Sequence, residues 1–296
     1  MKKISDYDPE VLRLFDGYVH GKVSRREFLD RAAKIATVGA SAAAVLASLS
    51  PDYALARQVD PDDKSISVGY KKYASPRGAG VMRGYYARPA VVQHKLPAVV
   101  VIHENRGLNP YIEDVARRLA VAGFIAFAPD ALTPLGGYPG NDDDGRNLQR
   151  ERDREEMKED FAAAVEFMQS HPDCTGKVGT VGFCFGGSMS MYLAVRFANL
   201  GAAVAYYGGH PEAEAAASIQ APLMIHHGEM DERVNAGWPA FEKALQAADR
   251  NYEQFMYAES GHGFHNDTTP RFMPESAELS WNRSIDFFRK HLELES

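Results

Sequence analysis

Two cysteines and ten histidines are available for chemistry in this chain, and one cysteine stands where it would be reactive. Gly182-Phe183-Cys184-Phe185-Gly186-Gly187 follows a predicted strand, Lys177 to Gly182, and precedes a predicted helix, Ser188 to Phe197. A G-x-C-x-G turn between strand and helix forces its central side chain up at the sheet edge, and only glycines let the two elements approach so closely. The helix that starts there would aim its amides and dipole at a thiolate and at the oxyanion formed after attack. A buried structural cysteine among glycines would show the same pentapeptide, so the neighbours must decide. Asp231 follows an apolar strand, Pro222 to His227, and His262 follows a strand, Tyr252 to Tyr257, inside Ser260-Gly261-His262-Gly263-Phe264. Nucleophile, acid and histidine, each just past a strand end, would meet at one edge of a parallel sheet.

The remaining candidates are weaker. His226 and His227 are neighbours on a strand and point to opposite faces, and His262 with His265 lacks a third ligand, so no metal is expected. Cys174 and Cys184 lie roughly 20 Å apart along one strand, too far for a disulfide, which leaves the thiol free. Glu104, in His103-Glu104-Asn105-Arg106-Gly107, would sit at the C-terminal edge of a buried strand. A carboxylate there is costly unless it is partnered, and Arg106 is the nearest candidate.

Taken together, the cysteine elbow, the placement of Asp231 and His262, and the segment His103 to Gly107 resemble the dienelactone hydrolase family over roughly residues 66 to 292. The resemblance implies an α/β-hydrolase fold and hydrolysis of small esters or lactones through a cysteine acyl-enzyme, with no cofactor. It implies that Glu104 takes part in activating the thiol and that the amide of Asn105 joins that of Phe185 in the oxyanion hole. Family members that open dienelactones hold the substrate carboxylate with arginines, one of them shortly after the catalytic histidine. Here that position is Asn266, so neutral esters are the expected substrates unless Arg271 or an arginine among Arg150, Arg152 and Arg154 reaches the pocket. The substrate-binding residues are otherwise not identified. Two alternatives stay open: a carboxylesterase or thioesterase for another small acyl group, and a non-catalytic thiol redox or binding protein on the same fold.

The elements that must position these residues alternate. Ser65 to Tyr73 and Val81 to Arg88 read as a hairpin around Ser75-Pro76-Arg77-Gly78. Leu96 to His103 and Phe124 to Ala128 are apolar runs separated by a helical stretch, Ile112 to Ala122. Met157 to Ser170, Trp238 to Ala248 and Glu275 to Leu292 read as helices, and Ala202 to Tyr207 as a strand. This alternation predicts a mostly parallel sheet with helices on both faces. Thr133 to Arg154, rich in Gly, Asp and Arg, reads as an excursion over the sheet edge, or as a solvated loop before a helix starting near Asp153.

Residues 1–56 stand apart from this domain, 57–296. Ser24-Arg25-Arg26-Glu27-Phe28-Leu29 precedes an uncharged, alanine-rich run, Ile35 to Leu49, and Ala54-Leu55-Ala56 offers small residues for a peptidase. About 20 apolar residues are needed to span a membrane, and the run is shorter, so no stable span is expected. The segment resembles a twin-arginine export signal, implying a periplasmic or secreted protein. The alternative is a helical segment docked on the domain of a cytoplasmic protein, with Pro9 to Tyr18 forming an amphipathic helix. The net charge of -7 carries no concentrated basic surface and argues against a nucleic-acid partner. Residues 1–56 hold eight Lys/Arg against seven Asp/Glu, so the acidity belongs to the domain.

Overall fold

The computed structural model describes residues 4–35 and 41–294. Eight strands form one sheet: β1 (Ile66–Ser75), β2 (Gly80–Pro89), β3 (Leu96–Ile102), β4 (Ile125–Pro129), β5 (Cys174–Phe183), β6 (Ala202–Tyr206), β7 (Leu223–Gly228) and β8 (Tyr252–Tyr257). Their order is β1-β2-β4-β3-β5-β6-β7-β8. The β1–β2 hairpin and the β2–β4 pair are antiparallel, and every other pair is parallel. All seven residues of β3 are buried, as expected of a β-branched strand covered on both sides. Val100 and Ile102 pack with Phe161, Met191 and Phe241 on one face, while Val99 and Val101 pack with Ile112, Phe124 and Phe288 on the other. On the first face these partners come from α6 (Arg154–Gln169), α7 (Phe185–Arg196) and α9 (Trp238–Ala247); on the second, Ile112 comes from α4 (Pro110–Val121), Phe124 from the turn before β4 and Phe288 from α10 (Pro274–Leu292).

This topology creates the crevice where chemistry is done. From β3 the chain crosses to β4 on one side, and β5 then pairs on the other side of β3. At such a switch point the loops leaving neighbouring strands run in opposite directions and open a cleft at the C-terminal ends. Glu104 leaves β3 there, and Cys184 leaves β5.

Two further segments carry helices. Thr133 to Arg154 contains a ten-residue helix, α5 (Asp142–Glu151), capped by the Asn141 side chain on the Asp144 amide. Its buried residues, Asp142, Gly145, Arg146 and Gln149, have the i, i+3, i+4, i+7 spacing of a helix face. Asp142 and Arg146 are held by ion pairs and Gln149 accepts the Gly107 amide, so a search for apolar periodicity passes over this face. At the N-terminus, α1 (Pro9–Val19), α2 (Arg25–Ile35) and α3 (Ala42–Leu49) share a small core of Val11, Leu14, Phe15, Phe28, Ala32, Leu46 and Leu49. Residues 36–40 of the apolar run lie outside the described residues. Among the described residues, no helix is long and apolar enough to cross a membrane.

Candidate active site

The elbow has the geometry its glycines imply. Cys184 adopts φ 56°, ψ -112°, a left-handed backbone that a side-chain-bearing residue seldom takes. A Cβ on Gly182 would stand 1.8 Å from the Gly186 carbonyl oxygen, and one on Gly186 would stand 2.2 Å from that of Ile102. The Cys184 amide donates to the Tyr206 carbonyl (3.0 Å), tying the strained residue to β6. Phe185 opens α7, so its amide is one of the helix's orphan donors.

Asp231 and His262 arrive from the neighbouring strand ends. Asp231 caps α8 (Glu232–Asn235), accepting the Val234 amide on Oδ1 at 3.3 Å, while Oδ2 accepts from His262 Nδ1 at 2.6 Å. This bond leaves Nε2 as the free nitrogen of His262, buried without another partner. A ring nitrogen of His262 lies within 4.8 Å of Cys184 Sγ. Burial opposes ionisation of the thiol, but His262 and His20 overcome it and hold Cys184 well below its ordinary value. Burial likewise opposes charging His262, yet the Cys184 sulfur and Asp231 raise its pKa. Both directions favour a thiolate facing an imidazolium.

Glu104 is 1% exposed, with Arg106 Nη2 3.0 Å from its carboxylate and Asn266 Nδ2 donating to Oε2 at 3.2 Å. Burial raises its pKa against the pull of Arg106. Arg106 also pairs with Asp142 of α5, so the loop after β3 is locked to the excursion. Asn266 supports Glu104 rather than standing where an anionic substrate would be held. Arg152 is bound to Asp160 and to the Ala131 carbonyl, which removes it as a substrate anchor. Arg150 bonds Asn147, and Arg154 is exposed at the start of α6. Arg271 does reach the site: it is 7% exposed, its Nε is buried without a partner, and it packs at Gly263 beside His262. Of the candidate arginines for a substrate carboxylate, Arg271 is the one packed beside His262.

His226, His227 and His265 are tied into hydrogen bonds of the fold. His226 bonds Tyr257 and Ser284, His227 bonds His210 and Gln254, and His265 meets Tyr111. Cys174 and Cys184 are both free. Sequence reasoning missed His20, whose Nε2 is 3.6 Å from Cys184 Sγ, and Arg233, which lies 3.2 Å from His262 Nδ1. His20 lies in a segment set aside as an address, and nothing in its surroundings points to the thiol. His20, Cys184 and His262 have ligand atoms within 4.8 Å of one another, a set that could hold a soft metal ion.

Comparison with known proteins places the fold in a family. The dienelactone hydrolase family matches residues 82–292, and a family described as YqhI-like matches residues 1–34. The "Putative hydrolase fragment YghX" of Escherichia coli K12 is 59% identical over 113 residues, 38% of this chain and 97% of that protein. The "Probable 2-oxo-3-(5-oxofuran-2-ylidene)propanoate lactonase" of a Bradyrhizobium species is 32% identical, covering 70% of this chain and 89% of the relative. The crystal structure of a "Putative Dienelactone Hydrolase" from Klebsiella pneumoniae superposes with TM-score 0.66 at 26% identity, covering 76% of this chain and 99% of that one. With the α/β-hydrolase sheet, the elbow and this family match across most of its length, the chain belongs to the dienelactone hydrolase family and is a carboxylic ester hydrolase.

Proposed function

We propose that the enzyme hydrolyses small esters or lactones through a thioester on Cys184. The observation that carries this is the Cys184 sulfur, set on a strained elbow against a histidine whose other nitrogen is held by Asp231 at 2.6 Å. The thiolate attacks the carbonyl carbon, and the resulting oxyanion is received by the amides of Asn105 and Phe185. As the C–O bond breaks, His262 gives its proton to the departing alkoxide, which in a lactone stays attached to the acyl chain. His262 then takes a proton from water, the hydroxide adds to the thioester, and collapse releases the acid and restores the thiolate. Asp231 keeps the Nδ1 proton in place throughout. Glu104, held by Arg106 and Asn266, acts on the thiol through its charge.

The Bradyrhizobium relative's description as a lactonase supports a lactone substrate. Arg271 Nε, buried and unpaired, supports binding of an acyl group that carries a carboxylate. Docked N-terminal helices are the reading we propose for residues 1–56, because Val19 and His20 at the end of α1 contact Asn105 and Cys184. Twin-arginine export would instead leave a mature chain beginning near Arg57. Mass spectrometry of the protein from its native host distinguishes the two. Incubation of purified enzyme with an aryl ester followed by acid quench should show an acyl adduct on Cys184. Its absence, together with turnover by Cys184→Ala, would overturn the mechanism.

A further inference from the structure

The mechanism uses one imidazole on Cys184, yet two stand there. His20 follows α1, its Nε2 is 3.6 Å from the sulfur, and its ring meets that of His262 edge-on with centroids 4.9 Å apart. Its orientation is fixed as that of His262 is. Nδ1 lies 2.8 Å from the Asp16 carbonyl oxygen and 3.1 Å from Asp16 Oδ1, which turns Nε2 toward the sulfur. Two Asp-His pairs thus converge on one atom. Arg233 joins them, 3.6 Å from Asp16 Oδ2 and 3.1 Å from His20 Nε2.

The rest of α1 is fitted to the same cleft. The Val19 carbonyl accepts a hydrogen bond from the Asn105 side chain at 2.8 Å. Phe15, 4% exposed, lies under the Arg271 guanidinium at 5.5 Å. The Tyr18 hydroxyl donates to Asp143 of α5, and Arg25 pairs with the same carboxylate at 3.4 Å. Behind this face, α2 and α3 hold α1 through their shared core. The groups covered are Cys184, Asn105 and Arg271, the ones a substrate must reach.

We propose that α1 is the roof of the acyl site and that His20, held by Asp16, is a specificity-determining residue whose imidazole closes the space above Cys184 and restricts turnover to short acyl groups and small lactones. This rests on Cys184 being the nucleophile. His20 also carries charge against the sulfur: burial opposes its protonation, but Asp16 and the thiolate push its pKa up to about 10. The charged groups facing this pair are Asp16 from α1, Arg233 from α8, Asp231 and His262 from the loops after β7 and β8, Glu104 from the loop after β3, and Arg271.

The test measures kcat/KM for p-nitrophenyl acetate, butyrate and octanoate in the full-length wild type, His20→Ala, His20→Gln and Tyr18→Phe. A tight apolar site discriminates one methylene by about tenfold or more, so the wild-type octanoate-to-acetate ratio should be below about one-tenth. His20→Ala, which removes the ring, should raise that ratio at least about tenfold. Tyr18→Phe, which loosens the tie to Asp143 without touching the sulfur, should raise it in the same direction. His20→Gln keeps most of the volume but not the charge; its ratio should stay near wild type while the pH profile of iodoacetamide alkylation moves up. Unchanged ratios in both His20→Ala and Tyr18→Phe, with melting temperatures near wild type, would overturn the roof. An alkylation profile unmoved by His20→Gln would remove its electrostatic part. If alkylated wild type keeps its esterase activity, the nucleophile assignment fails, an outcome separate from either of these.

Discussion

Asp231→Asn isolates the part of the site that geometry constrains most. The Asp231 carboxylate has two distinct duties: Oδ1 accepts from the Val234 amide at 3.3 Å, and Oδ2 accepts from His262 Nδ1 at 2.6 Å. An amide cannot do both, because one of its two atoms must become a donor. If the amide nitrogen faces Val234, two donors meet and the α8 cap is lost. If it faces His262, the ring proton is driven to Nε2, where His262 can no longer stay charged beside the thiolate. The loss is therefore a charge-assisted bond of about 1.5–3 kcal/mol plus the general-acid role, itself worth about 10²–10⁴-fold. We expect kcat/KM to fall by about 10²–10⁴-fold with little change in the circular dichroism spectrum. The pH dependence has a definite sign. Asp231 helps raise the His262 pKa, so its neutralisation moves the alkaline limb of the activity profile down; the imidazolium helps depress the thiol, so the acid limb moves up. The window narrows from both sides. A variant within tenfold of wild type, or one whose limbs move apart, would refute the pairing of Cys184 with an Asp231-held imidazolium.

Gly186→Ala places a Cβ 2.2 Å from the Ile102 carbonyl oxygen and 2.7 Å from that of His103, so urea denaturation should show a loss of at least about 3 kcal/mol or no folded protein. Glu104→Gln keeps the shape between Arg106 and Asn266 but loses the charge that holds them; stability should drop by about 1.5–3 kcal/mol, and the thiol should alkylate over a lower pH range. Arg271→Met should lower the kcat/KM ratio of an anionic over a matched neutral lactone by about ten- to a hundredfold, the worth of a charge-assisted bond. Asn266→Arg, in contrast, would force a longer, charged side chain into a site with no exposure beside Glu104, and its folding midpoint should fall without any gain toward anionic substrates.

What could be read from the sequence was what the backbone dictates. A run such as Leu96 to Ile102 has one stable placement, inside a two-faced sheet, and Gly182, Gly186 and Gly187 sit where any Cβ would collide with neighbouring backbone. Cys184, Asp231 and His262 were visible for the same reason: each is tied to a strand end, and strand order brings strand ends together. Nothing of this kind marks His20 or Arg271. Their places are set by how separate segments dock, which depends on contacts across more than 160 residues of chain, as between His20 and Cys184. The export reading of residues 1–56 rests on a local pattern of arginines followed by small apolar residues. The same Phe28 and Ala32 that suit a signal also fill the core between α1 and α3.

The face over the active site is organised by charge, and this explains why hydrophobic patterning leaves it unread. Arg106 is shared between Glu104 behind the thiol and Asp142 on α5; Asp142 in turn accepts from Tyr53 and Tyr138. Asp143, next along, takes Tyr18 and Arg25 from the N-terminal helices and Arg146 from its own helix. Glu104, Arg106 and Asp142 are buried, and separating the loop after β3 from α5 would strand a charge in a low-dielectric site at a cost of several kcal/mol, whereas the half-exposed Asp143 adds a weaker tie to the N-terminal helices. The N-terminal helices, α5 and the loop after β3 are bound into one network for that reason. A substrate anion admitted beside Arg271 would have to enter this network as a further member, so selectivity for acyl size and for acyl charge should depend on the same docked segment.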